Sequence, residues 1–237
     1  MPKATLRVEL IAHTPNPEKI CALAARTCYS GLEYEDLSAL VNEKDQSAFL
    51  RRVMASGHLS VLEHASFTFG ASGVSRALLA QITRHRIASF SVQSQRYVSL
   101  AEGFGYVIPP RIEALGEEAV KEFEGQMASM HRWYQQWQER LGEGANEDAR
   151  FVLPNACETH ITFTMNAREL LHFFSLRCCN RAQWEIRALA LEMLKLCRKV
   201  SPVIFESAGP GCVQGPCPEG AKSCGEAARM RELYKNL

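Results

Sequence analysis

Apolar residues recur along this chain with two different periods, and the changes of period mark out its elements. The opening MPKATLRVELIAHTP interrupts its apolar run with Lys3, Arg7 and Glu9, so it predicts a first strand and lacks the unbroken apolar core of a signal peptide. NPEKICALAARTCYS offers Asn16 as a cap and Pro17 at the first helical position, then sets Ile20, Leu23 and Ala24 at helical spacing. A second helix around QSAFLRRVMASG stops at Gly57, the residue that most easily takes a left-handed terminal conformation, and His58 follows directly. EHASFTFGA alternates, with Phe67 and Phe69 opposite Ser66 and Thr68, the period of a half-buried strand.

SGVSRALLAQITRHR returns to helical spacing, with Ser72 or Ser75 as the cap and Leu78, Leu79 and Ile82 turned toward a core. Gln81, Arg84 and His85 then fall near its C-terminal end. From Gly116 to Gly142, apolar positions from Val120 to Leu141 recur every three or four residues and predict one long amphipathic helix. Its apolar stripe suits packing on another subunit or within the monomer. CETHITFTM alternates as a strand, and NARELLHFFSLRC begins a helix with Asn166 as cap and Glu169 three residues later, a capping-box pattern. AQWEIRALALEMLKLCRKV predicts a further helix, whereas AGPGCVQGPCPEGAKSCGE, dense in glycine and proline, predicts a loop or loose tail.

Composition narrows the class. The 237 residues, 46% of them hydrophobic, can bury a core of their own, and a single compact domain is expected. Lys and Arg number 27 against 26 Asp and Glu, so no overall charge favours nucleic acid or an anionic membrane. No apolar run reaches the roughly 18 residues of a membrane span, and a soluble, cytoplasmic protein is expected. Of the nine cysteines, Cys21, Cys28 and Cys197 fall inside helical patterns, where a reduced thiol acts as a small hydrophobe. Cys178 and Cys179 are adjacent on a helix, so at most one of them faces a given neighbour. Cys212, Cys217 and Cys224 stand further apart than the paired ligands of common zinc sites, with no histidine nearby, and no metal is expected.

The chain carries no G-x-S-x-G elbow, Walker loop, G-x-G-x-x-G after a strand, or H-E-x-x-H. Its densest chemistry is RHRIASFSVQSQRY at 84 to 97. Arginines grip phosphate in a bidentate fashion, and serine hydroxyls with main-chain N–H groups complete such a cradle; a solvated basic turn is the plainer reading. Arg150, in DARFVLP, and Arg177, in ELLHFFSLRC, lie in apolar surroundings where a cation needs a partner. Glu63, Glu169 or Glu185 can supply one, so spacing leaves the choice between an internal partner and a ligand open.

RHR followed after seven residues by Ser94, within QITRHRIASFSVQSQRY, resembles the signature of the flavin-dependent thymidylate synthases. GHLSVLEHASFTF, ARFVLP, NARELLHFF and RAQWEIR resemble further segments of that family in the same order, across most of residues 5 to 210. Together with the predicted elements, the resemblance implies an α+β fold of the thymidylate synthase-complementing type, a mostly antiparallel sheet flanked by helices including the long one. Residues 1–210 would form its single domain, with 211–237 a Gly/Pro/Cys-rich extension. It also implies reductive methylation of dUMP to dTMP, with 5,10-methylenetetrahydrofolate as carbon donor and NADPH-reduced FAD as hydride source. The enzyme would be a homotetramer whose active sites form between subunits, without nucleic-acid or membrane partners.

The resemblance maps the dUMP site onto Gln81, Arg84, Val92, Gln93, Ser94, Gln95, Arg96, Arg150 and Arg177. Ser94 with its neighbouring N–H groups, Arg96 and Arg150 would hold the phosphate, and Arg177 would be the catalytic cation beside the uracil. The FAD and folate side maps onto His58, Ser60, Glu63, Arg84, His85, Arg86, Val92, Asn166, Arg168 and His172. In this family no enzyme cysteine attacks the uracil, in keeping with the expectation that no cysteine lies near the polar loop. Ser91-Val92 stands where the family often has Asn-Glu, and His172 where an amide is usual. The alternative is a nucleotide- or RNA-binding module without flavin chemistry, against which stand the balanced charge and the few exposed aromatics expected near residues 84 to 97.

Overall fold

A computed structural model describes every residue from Met1 to Leu237. Four strands, β1 (Arg7–His13), β2 (Ser66–Ser75), β3 (Ala88–Val92) and β4 (Glu158–Asn166), form one open antiparallel sheet in the order β1-β2-β4-β3. The helices are α1 (Pro17–Thr27), α2 (Tyr34–Glu43), α3 (Ser47–Ala55), α4 (Arg76–Ile82), α5 (Pro110–Glu113), α6 (Glu117–Leu141), α7 (Asn146–Ala149), α8 (Ala167–Arg177), α9 (Trp184–Val200) and α10 (Ala227–Lys235). Period-two patterning sets the sheet: Phe67 and Phe69 of β2 are fully buried, as are Ile161, Phe163 and Met165 of β4 within a few per cent. No helix is long and apolar enough to cross a membrane.

The chain divides into two compact units. Met1–Arg7, Gly70–Arg84 and Phe90–Thr162 make up one, with a core of Phe104, Tyr106, Ile108, Met127 and Cys157 against Val120, Phe123 and Met130. Val8–Phe69, His85–Ser89 and Phe163–Leu237 make up the other. There the Phe205 ring meets Phe67 edge-on at 5.4 Å and Phe174 at 5.9 Å, the favoured geometry for aromatic pairs.

Local signals act as the residue types require, with two exceptions near α1. Gly57, at φ 81°, ends α3, and Ser75 caps α4 by accepting the Leu78 N–H at 3.2 Å. Asn16 stands at the start of α1, but at φ 49° its side chain caps nothing; only its carbonyl accepts, from the Ile20 N–H. Cys28 is exposed because α1 has ended at Thr27, so it is not the core thiol its pattern predicts.

The C-terminal stretch is not loose. Ala208, Gly209 and Pro210 are buried, short 3-10 turns cover Gly211–Val213 and Gly220–Lys222, and α10 buries Met230 and Tyr234. Arginines replace regular hydrogen bonding: Arg198 donates to the carbonyls of Phe205, Glu206, Ala208 and Tyr234, and Arg231 to those of Cys212 and Gly215. A glycine- and proline-rich path is held when its carbonyls find such donors.

Candidate functional site

In the first unit, the Ser75 cap starts α4 and leaves Gln81 half-buried on its last turn, with Arg84 exposed just beyond. β3 ends at Val92, which is half-buried. The Gln93 N–H then donates to the His160 carbonyl at 3.0 Å, and the Gln93 carbonyl accepts from Arg76 Nη1 at 3.3 Å. Ser94 Oγ accepts the N–H groups of Arg96 and Tyr97 at 3.2 and 3.4 Å, so two main-chain donors converge on one oxygen. Arg96 Nε meets the Glu147 carboxylate at 2.8 Å, and Arg150 Nε donates to the Glu147 carbonyl at 3.0 Å. One residue, Glu147, thereby draws together both arginines that the family resemblance maps onto a phosphate.

Arg76 is a cation that the sequence reading passes over. Burial, and then the charge of Arg150, push its pKa down. It is the first residue of α4, where it looks like an ordinary helix starter, and its nearness to Gln93 is not visible in local spacing.

Two expectations about this loop are overturned. Cys157, fully buried, lies against it, with the Gln95 amide 3.7 Å from its sulfur. Sixty-two residues of sequence hide that contact. Burial lifts the thiol pKa to about 11, so it is a protonated, unreactive group and not a nucleophile. Aromatics are also more exposed than expected: Tyr97 is 79% and Phe151 81% exposed, beneath the guanidinium groups of Arg96 and Arg150 respectively.

The remaining candidates, apart from Val92, belong to the second unit. Gly57 turns the chain at His58 into a 3-10 turn, Leu59–His64, whose Val61 and Leu62 are buried and whose Ser60 and Glu63 are exposed. The Glu63 carboxylate pairs with Arg168 in the first turn of α8 at 2.5 Å, both half-exposed. Asn166 Oδ1 caps α8 by accepting the Glu169 N–H at 2.9 Å. The reciprocal half of the capping box is not used for the helix; the Glu169 carboxylate instead meets His85 Nδ1 at 2.8 Å.

His85 lies just beyond α4, with 3% of its side chain exposed. Its ring packs edge-on against Phe173 at 4.9 Å and lies 5.9 Å from the exposed His172, and its Nε2 accepts from Arg177 Nε at 3.0 Å. Burial, first, and the charges of Arg177 and His172 hold the His85 pKa down, against the pull of Glu169. Of the carboxylates offered by the sequence, Glu63 serves Arg168 and Glu169 reaches Arg177 through His85. Arg86 is exposed. All nine cysteines are free thiols, and no group of three or more His, Cys, Asp or Glu side chains is arranged to hold a metal ion.

A family model described as thymidylate synthase complementing protein matches residues 9–203. The chain is similar to the flavin-dependent thymidylate synthase of Geobacter sulfurreducens, 53% identical over 234 residues that cover 98% of this chain and 99% of that protein. It is 49% identical to the protein of that name from Clostridium tetani, over 97% of each chain, and 42% identical to that of Pyrococcus furiosus, over 90% of each. The Geobacter match takes in the cysteine-rich C-terminal stretch, beyond the reach of the resemblance seen in the sequence.

Proposed function

The chain belongs to the thymidylate synthase complementing protein family, and on that premise we propose that it is an FAD-dependent thymidylate synthase. It reductively methylates dUMP to dTMP: 5,10-methylenetetrahydrofolate supplies the carbon, and FAD, reduced by NADPH, supplies the hydride. The near full-length likeness to proteins named for this activity carries the reading.

The dUMP phosphate is assigned to the turn where two N–H groups converge at Ser94, beside Arg96 and Arg150. Gathered cations and main-chain donors are what a phosphate needs. Gln81, Arg84, Gln93 and Gln95 complete the nucleotide side. Val92 offers no carboxylate, so its contact is through the main chain. Arg177 is the catalytic cation: a fixed positive charge beside the pyrimidine stabilises negative charge as the ring accepts electrons, without reorganising during the reaction.

The residues fit a flavin dinucleotide, since Arg84, Arg86 and His172 are exposed donors and Arg168 is half-exposed beside Glu63. These four, with His58, Ser60, Glu63 and Val92, are assigned to FAD and folate. His85 and Asn166, whose side chains are engaged within the chain, act through the groups they hold or through their main chain. A homotetramer with shared active sites is supported by exposed apolar side chains: Tyr97 and Phe151 beside the arginines, and Trp133, Trp137 and Leu141 on α6. Free thiols suit the cytoplasm.

The test is a visible spectrum of the purified protein, with NADPH oxidation measured with and without dUMP. A bound flavin and dUMP-stimulated oxidation support the proposal; a colourless protein that takes up no FAD overturns it. Arg177→Ala should fold and bind flavin while losing nearly all methyl transfer, and near-normal turnover would remove Arg177 from its role.

A further inference from the structure

Arg177 Nε carries a hydrogen and no lone pair, so it can only donate. The nitrogen that it meets at 3.0 Å, His85 Nε2, must therefore be the unprotonated one, and the ring proton sits on Nδ1, where it donates to the Glu169 carboxylate at 2.8 Å. All three groups are held. Glu169 is 7% exposed in the capped first turn of α8, His85 is packed against Phe173, and Arg177 closes the same helix. We propose that Glu169 is a positioning residue for the reaction: it fixes the tautomer of His85, whose Nε2 lone pair then sets the plane of the Arg177 guanidinium.

This proposal rests on the reading of Arg177 as the cation beside the uracil, and it gives Glu169 a task beyond its place in a helix cap. A hydrogen bond that fixes which histidine nitrogen carries the proton also fixes the ring's orientation. It makes activity sensitive to acid in a defined way. Protonating His85 converts Nε2 into a donor facing another donor, and the Arg177 contact is lost. The groups whose charge acts on the ring are Glu169, Arg177 and His172, all on α8. Glu169 alone favours the protonated ring, so replacing its charge makes His85 harder to protonate.

The test uses the FAD-loaded enzyme with Glu169→Ala and Glu169→Gln. Glu169→Ala releases the tautomer and should lower kcat by roughly 10- to 100-fold, the scale of a small misplacement of a reacting group, with a smaller change in KM for dUMP and an unchanged flavin spectrum. Glu169→Gln keeps an acceptor for the Nδ1 proton without the charge; its activity near neutral pH should stay within about tenfold of the parent, while the acid limb of kcat moves to lower pH. A group serving only the fold would not move that limb.

Nitrogen-15 spectra of the resting parent protein, with the His85 signal identified by its loss in His85→Gln, give a readout independent of turnover. Protonated Nδ1 and bare Nε2 are expected. A proton on Nε2 overturns the proposal, as does a folded Glu169→Gln enzyme with an unmoved acid limb. If Glu169→Ala does not fold, Glu169→Gln and the spectrum decide. Absence of any dTMP formation by the parent would instead defeat the functional reading, and the spectrum would still report the tautomer.

Discussion

Electron transfer into a pyrimidine ring calls for a charge that is in place before the reaction begins. On the proposed reading that demand falls, at the scale of single residues, on Arg177, whose Nε meets the buried His85, itself bonded to the Glu169 carboxylate. The same scale disposes of Cys157. Its thiol is buried, protonated and 3.7 Å from the Gln95 amide, so it packs beside the 93–97 loop as a neutral group. Cys157→Ser should therefore keep dTMP formation within about threefold of the parent, the tolerance of an ordinary small substitution, in a steady-state assay. A loss beyond a hundredfold would give the sulfur a chemical role. Sequence names His85 through a basic motif and Glu169 through a capping pattern, but 84 residues separate them and only the folded chain joins them.

Several elements were readable from local signals, although Asn16 does not cap α1 with its side chain and α2 was not foreseen. Alternation in EHASFTFGA and CETHITFTM, the three-and-four spacing of α6, Gly57 and the Ser75 cap all depend on neighbours a few residues away. The C-terminal stretch was not, because its order comes from Arg198 and Arg231 reaching across many residues to its carbonyls. A glycine shows how steep such a dependence can be. Gly73 in β2 stands at φ 69°, and a Cβ there would collide with the Thr5 carbonyl. Ser75→Ala, which removes one cap bond, should cost about 1 kcal/mol. Gly73→Ala meets both the left-handed backbone and the collision, and should cost at least twice that. Urea denaturation of the two variants ranks them, and equal midpoints would contradict this account of the β2–α4 junction.

For the whole molecule, near-neutral charge leaves anion capture to local groups, as the balance of 27 basic and 26 acidic residues implies. Aromatics beside Arg96 and Arg150 stand open in the single chain. That exposure was not legible in the sequence, since nothing local distinguishes an exposed ring from one in a core. The family and the reaction were legible, through ordered motifs from GHLSVLEHASFTF to RAQWEIR, while Arg76 and Cys157 near the loop were not. The central claim, flavin-dependent methylation at C5 of dUMP, is tested most directly by release of tritium from 5-tritiated dUMP on the purified, FAD-loaded protein. Release that requires both methylenetetrahydrofolate and NADPH, and yields one dTMP for each tritium lost, is the expected result. No release under those conditions, or release equally fast from labelled dCMP or uridine, would contradict it.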